Sequence, residues 1–260
     1  MKTLSIINLK GGVAKTISSV NMAHILAEVH GYKVLLIDND KQGNASKLLN
    51  RHSYSRPGVA EVMTDRNVDM KKVIQQTDYK GLDIITANMT LLKANLEVLL
   101  DQQRPQQIRF KKALGQVAGE YDFCIIDNAP DINISTINAL VASDDVMIPV
   151  TIDDFALDGL AELKEQIDNT KEDLNPELTL RGCFVTQFDS SNEADRQGEE
   201  YLRSIKEYPV FETHIRRTPK MKPSTFARTP IILYSVRCGA AQDYKRLVEE
   251  YLKKLTDSDR

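Results

Sequence analysis

A chain of 260 residues with 42% hydrophobic content can bury a sizeable core, which excludes extended disorder. Its formal net charge of -3 gives no overall attraction to nucleic acid, so any such binding must come from a local patch. Cys124, Cys183 and Cys238 stand far apart with no CxxC spacing and no nearby histidine, which excludes a zinc site and fits a reducing compartment.

The chain opens MKTLSIINLKGG, an apolar stretch too short for a signal-peptide core with its cleavage site. No stretch approaches the roughly 18 apolar residues of a membrane span, so a soluble, cytoplasmic protein without membrane attachment is expected. Residues 3–9 predict a first strand, which runs into KGGVAKT at 10–16 and a helix over 17–29. Further short apolar runs predict strands at 34–38, 82–86, 123–127, 146–150 and 180–186. Apolar residues at three- and four-residue spacing predict crossover helices at 91–100, 156–167 and 194–205, while 51–79 is poorly patterned. Residues 240–255 place Tyr244, Leu247, Val248, Tyr251, Leu252 and Leu255 on one side and predict a closing helix against the sheet. The alternation reads as α/β: a single doubly wound, mostly parallel sheet with helices on both faces, in one domain over 1–260.

A glycine-containing turn between a strand and a helix is the context of a phosphate loop, because backbone N–H groups at a helix N-terminus point at an anion. The ordinary GxxxxGK[ST] pattern nevertheless fails, with Leu9 and Ala14 at its glycine positions. The deviant form, with Lys10 ahead of Gly11 and Gly12, resembles the signature of the ParA/MinD ATPases. IDNDKQGNAS at 37–46 resembles that family's IDxDPQGNAS with Lys41 in place of proline, and YDFCIIDNAP at 121–130 resembles its YDYIIIDTPP, departing at Asn128 and Ala129. IDDFALDGLAELKEQI at 152–167 is similar to EYFALEGLxxLxxxI, and VTQFDSS at 185–191 to the TxYD loop near the adenine. The stretch 210–247 follows the closing segment of chromosomal and plasmid partition ATPases.

The resemblance implies a P-loop NTPase fold of the deviant Walker A class, with ATP and Mg²⁺ as cofactors. It implies nucleotide contacts along Lys10, Gly11, Gly12, Val13, Ala14, Lys15, Thr16 and Ile17. Lys15 would bind its own phosphates, while Lys10 would reach across a dimer interface to the partner's nucleotide. Thr16 and Asp127 are the expected Mg²⁺ residues, with Asp38 a further one through water. Asp40 is the expected catalytic carboxylate beside Lys10 and Lys15, placing the attacking water with modest general-base character. Ala14 adds a methyl group where the family usually has glycine, which a negative φ accommodates. Ile17 replaces the usual second hydroxyl residue and removes one contact to the α-phosphate.

From Thr213 to Gln242 there is no acid, while Arg216, Arg217, Lys220, Lys222, Arg228 and Arg237 supply six positive charges. Clustered Arg and Lys release counterions from phosphates and bind DNA without sequence preference, and the resemblance implies that use here. Arg216, Arg217, Lys220, Lys222 and Arg228 are the DNA candidates, and a second acid-free run, 102–119, with Arg104, Arg109, Lys111 and Lys112, is expected on the same face. The implied function is a partition ATPase acting in plasmid or chromosome segregation: an ATP sandwich dimer on nonspecific nucleoid DNA, released when a ParB-like adaptor stimulates hydrolysis. No helix-turn-helix domain is expected ahead of Lys10. A ParA-like ATPase positioning another cargo on the same track stays open. A MinD-like membrane-associated ATPase needs a basic amphipathic C-terminal helix, whereas this sequence ends LTDSDR. A metal-cluster carrier needs a cysteine pair after Asp127, and a metabolic ligase a substrate pocket with no visible signature.

Overall fold

The computed structural model describes residues 1–153 and 156–258. Chain order is β1 (Lys2–Ile6), α1 (Lys15–His24) continued by a π-helical turn at Ile25–Val29, β2 (Val34–Asn39), α2 (Asn44–Leu48), α3 (Val59–Thr64), α4 (Met70–Val73), β3 (Ile74–Gln76), β4 (Leu82–Ile85), α5 (Thr90–Leu100) and α6 (Arg109–Gly115). Then follow β5 (Phe123–Asn128), α7 (Ile134–Ala142), β6 (Asp145–Val150), α8 (Ala156–Asp173), β7 (Thr179–Val185), α9 (Glu193–Ser204), α10 (Met221–Phe226), α11 (Ile231–Tyr234) and α12 (Gly239–Ser258).

The strands form one seven-stranded sheet in the order β3-β4-β2-β5-β1-β6-β7, parallel except where β3 runs against β4. A parallel strand covered on both faces has no solvent side to keep polar, so β2 reads as the unbroken apolar run VLLI. Val34 and Leu36 enter one core layer with α1 and α12, and Leu35 and Ile37 enter the opposite layer with α3, α5 and α6. The closing helix behaves as its spacing predicts: Tyr244, Leu247, Val248 and Tyr251 are fully buried on the α1 side. Each large apolar side chain so buried contributes about 1.5–3 kcal/mol. Polar ties set the register of this packing, with Ser18 Oγ and Tyr244 OH 3.0 Å apart and the Ile231 amide donating to Asn21 Oδ1 at 2.9 Å.

Three expectations are corrected here. The predicted first strand, 3–9, stops at Ile6, because Asn8 turns the chain: its Nδ2 donates to Pro149 O at 2.7 Å and its Oδ1 accepts the Lys10 amide at 2.9 Å. The poorly patterned stretch 51–79 contains α3, α4 and the antiparallel edge strand β3, elements too short to show a period. The second acid-free run does not share a face with the first, since Phe110, Ala113 and Leu114 of α6 pack in the layer opposite Ile215, Ile231 and Ala240. Within that run Arg109 is buried, and it and Arg104 both pair with Asp101, at 2.9 and 2.8 Å. In the stretch 152–167, Asp154 and Phe155 lie outside the described residues, as do Asp259 and Arg260 at the chain end.

Candidate functional site

The strand order reverses at β1, which lies between β5 and β6, and ligands of open α/β sheets sit beyond the carboxyl ends of the strands at such a point. A cleft of about 1030 Å³ opens there, walled by the 11–17 loop, Asp40, the 186–190 loop and the stretch 215–222.

The floor of the cleft is the start of α1. Its N-cap, Ala14, offers no side-chain acceptor and its first turn carries no acid, so the first amides of a ten-residue helix are left for an anion. Nothing lies within 4 Å of where a Cβ would stand on Gly11 or Gly12, and Gly12 sits at φ 80. A ligand can therefore approach this backbone closely. Ala14 corrects the expectation of a negative φ: at φ 65 it occupies the left-handed region, and its methyl group is accommodated under strain.

The two lysines of the loop are used differently. Lys15 is buried and its Nζ donates to Lys10 O at 2.8 Å, across the hollow of the loop. Burial lowers its pKa, opposed by the charges of Asp127, Asp40 and Asp131. Lys10 points out of its own loop and pairs with Asp153, beyond the end of β6. Thr186 Oγ1 donates to Val13 O at 3.1 Å and Gln187 Nε2 to Gly12 O at 2.8 Å, tying the 186–190 wall to the same loop.

Strand register brings the acids together, with Asp38 of β2 opposite Asp127 of β5. Both are fully buried, and burial pushes both carboxyls above the usual range, with the charge of Asp38 adding to the rise at Asp127 and that of Asp40 to the rise at Asp38. Asp38 is spent on structure: Oδ2 accepts the Ser46 amide and hydroxyl at 2.8 and 2.6 Å, and Oδ1 faces the Asp40 amide at 3.3 Å. Asp127 Oδ1 accepts from Ser19 at 3.0 Å, Oδ2 has no partner, and the neighbouring Thr16 hydroxyl counters the rise of its pKa. An unpartnered buried carboxylate oxygen beside a threonine hydroxyl, with a second acid in register, is a donor set that fits Mg²⁺ or its bound water. Asp40 lines the cleft, its Oδ1 holding the Gln42 amide at 2.9 Å. The turn after it needs Gly43, where φ is 63 and a Cβ would stand 2.5 Å from Ala87 O.

The five DNA candidates do not form one free patch. Arg216 lines the cleft and is bidentate to the buried Asp243, at 2.9 and 2.8 Å. Arg228, at φ 50, donates to Asn50 Oδ1 at 3.0 Å. Arg217, Lys220 and Lys222 are exposed, with Arg217 and Lys222 at the rim of the cleft.

Sequence reading gave no role to several groups. Ser19 and Ser46 fix the two buried acids, and Asp153 holds Lys10. Buried Asn39 donates to Asn128 Oδ1 at 2.9 Å, and Asn128 donates to Ser5 Oγ and Ile6 O at 3.3 Å, linking the ends of β2, β5 and β1. Lys41, the residue in the proline position, pairs with Asp131 at 3.4 Å. The usable signal was the break in pattern: asparagines ending apolar strands have no solvent role there.

Known proteins resemble this chain in sequence and in fold. A family model described as an AAA domain matches residues 1–180. The sporulation initiation inhibitor protein Soj of Bacillus subtilis (strain 168) is 35% identical over 253 residues, covering 96% of this chain and 97% of the relative. The chromosome partitioning protein ParA of Myxococcus xanthus (strain DK1622) is 33% identical over 257 residues, covering 98% and 89%. A solved structure named cobyrinic acid a,c-diamide synthase, from Mycobacterium smegmatis with bound ATP analog and magnesium, is 27% identical with a TM-score of 0.86, covering 99% of this chain and 97% of that one.

Proposed function

The chain belongs to the ParA/Soj family of chromosome-partitioning ATPases, and from that premise we propose that it hydrolyses Mg-ATP between two face-to-face copies that ride on nonspecific DNA until an adaptor protein triggers release. The observation that carries this reading is the divergence of the two loop lysines, one turned into its own loop and one leaving it.

In this reading Lys15 and the first amides of α1 hold the β- and γ-phosphates, and Lys10 exchanges Asp153 for the second copy's nucleotide. Thr16 and Asp127 would hold Mg²⁺, which when bound neutralises charge developing on the phosphates. Asp40 orients a water for in-line attack on the γ-phosphorus. A bond from water oxygen to phosphorus forms as the bond to the β-bridging oxygen breaks, and the water proton ends on the released phosphate. Asp38 acts through Ser46, fixing the turn that carries Asp40. Arg217, Lys220 and Lys222 are the DNA cations, whereas Arg216 serves the cleft. The adaptor is of the ParB type or one carrying another cargo, and the working place is the nucleoid. Among the described residues no helix is long and apolar enough to cross a membrane.

Binding to random-sequence duplex DNA, measured with ATP, ADP and no nucleotide across a salt series, tests the reading. Binding that requires ATP, weakens with salt and is lost in Lys220→Glu/Lys222→Glu supports it; no binding in any nucleotide state removes DNA from it. Lys15→Ala is expected to abolish nucleotide binding, and Lys10→Ala to keep monomer binding but lose the ATP dimer. Asp40→Ala is expected to leave a persistent ATP dimer on DNA, and normal turnover in that variant removes Asp40 from the chemistry.

A further inference from the structure

The outward face of α5 is apolar where a helix turned to water is ordinarily polar. Met89, just ahead of the helix, and Leu92, Leu96, Leu99 and Leu100 are 45%, 47%, 59%, 53% and 79% exposed. The inward set, Leu91, Ala94 and Val98, is buried in the layer shared with α3 and α6. At 100° per residue the exposed set occupies an arc centred opposite the buried one, so the stripe points straight away from the core. None of the five lines the nucleotide cleft. Their combined exposed area is on the order of 500 Å², the upper part of the range for the largest patch on a monomer.

The stripe also carries its own charge pattern. Lys93 and Glu97 flank it on one side, both are exposed, and among the described residues neither has a hydrogen-bond or ion-pair partner. Within one helix a lysine four residues ahead of a glutamate is the weaker order for pairing. In an antiparallel pair of helices related by a two-fold axis, each flank meets the same flank of the other copy. Lys93 then faces Glu97 of the second copy and the reverse, Leu92 faces Leu99, and Leu96 lies next to the axis.

We propose that α5 is a self-association face, separate from the nucleotide site, whose occupant is the α5 of a second copy packed antiparallel. The contact buries about 1000 Å² in total, the lower limit for a specific interface, so it is weak between free monomers. On a nucleotide-joined dimer two such stripes are carried together and the association strengthens by avidity. Only that last step rests on the function proposed above.

Sedimentation equilibrium of the nucleotide-free full chain, from roughly 1 to 500 µM at low salt, tests the face apart from any ATP dimer. A reversible monomer–dimer equilibrium is expected, abolished by Leu96→Glu, whose melting temperature should match wild type because the site is exposed. Lys93→Glu or Glu97→Lys alone should weaken dimerisation about tenfold by setting like charges opposite each other in both pairs, and the double exchange should restore it to within about twofold. With Cys238→Ser removing the one partly exposed thiol, Leu96→Cys should give a disulfide-linked dimer under mild oxidation. A chain monomeric throughout the range, or dimerisation indifferent to Leu96→Glu, overturns the proposal; failure of the double exchange to restore overturns the antiparallel arrangement. Loss of ATP-dependent DNA binding with this dimer intact would remove only the function proposed above.

Discussion

Ala14 holds a methyl group at φ 65, a conformation that costs an L-residue about 1–2 kcal/mol. Glycine relieves this but loses more freedom on folding, which returns about 0.5–1 kcal/mol of the gain. Ala14→Gly is therefore expected to stabilise the chain by about 0.5–1 kcal/mol, read as a higher denaturant midpoint at unchanged slope. An unchanged or lower midpoint would show that the loop carries no strain. The pairing of Lys10 with Asp153 is a contact between side chains about one-third exposed, 34% and 39%, so screening limits it to about 0–1 kcal/mol. With one such pair released in each copy, Asp153→Ala should accordingly shift ATP dimerisation in favour of the dimer by no more than about thirtyfold, measured by light scattering against ATP concentration; a loss of dimer would give Asp153 a role in the ATP state itself. Both lysines were visible in the sequence as types at a spacing. That one turns inward and the other out was implied by the family resemblance alone; the residues themselves do not show it, because Asp153, which holds Lys10, lies far along the chain.

Among the elements, α12 owes its placement to apolar spacing and to one buried acid. Burial pushes the Asp243 carboxyl up, but the hydrogen bonds of Arg216 and Arg246 outweigh it and hold the pKa below the usual carboxylate range. A carboxylate with a depressed folded-state pKa stabilises the fold fully above its unfolded pKa of about 4, and that contribution is lost as pH falls through the folded value. Asp243→Asn should lower the melting temperature at pH 7, and its deficit relative to wild type should shrink from about pH 4 downward; a deficit constant to pH 2 would contradict the ion-pair account. The closing helix was legible because its apolar period ran for four turns, and the central strands because a strand buried on both faces is an unbroken apolar run. The elements α2, α3, α4 and β3 were not, being 5, 6, 4 and 3 residues long, too brief for periodicity to separate them from loop. The basic strip was legible as composition alone. Only tertiary structure separates Arg216, folded back onto α12, from Lys220 and Lys222, turned outward.

For the molecule as a whole, charge sits unevenly on a net-acidic chain, and the strip beside the cleft decides where a polyanion can dock. If Lys220 contacts phosphate, Lys220→Ala should weaken DNA binding about equally on all sequences and reduce the salt slope by about one per copy bound; an unchanged slope takes Lys220 off the interface. Topology has its own consequence. Of the seven strands β1 is made before the rest yet lies inside the sheet, between β5 and β6, Lys2 paired with Phe123 and Leu4 with Asp145, so the glycine loop has no finished neighbours until β6 has been made. Even then β7 keeps a bare edge until the 209–217 stretch lies along it, Cys183 bonding Pro209 and Phe188 bonding Ile215. On the ribosome the chain must therefore wait for most of its length before it can close, and messages truncated before the Ile215 codon should yield protein that aggregates or is degraded.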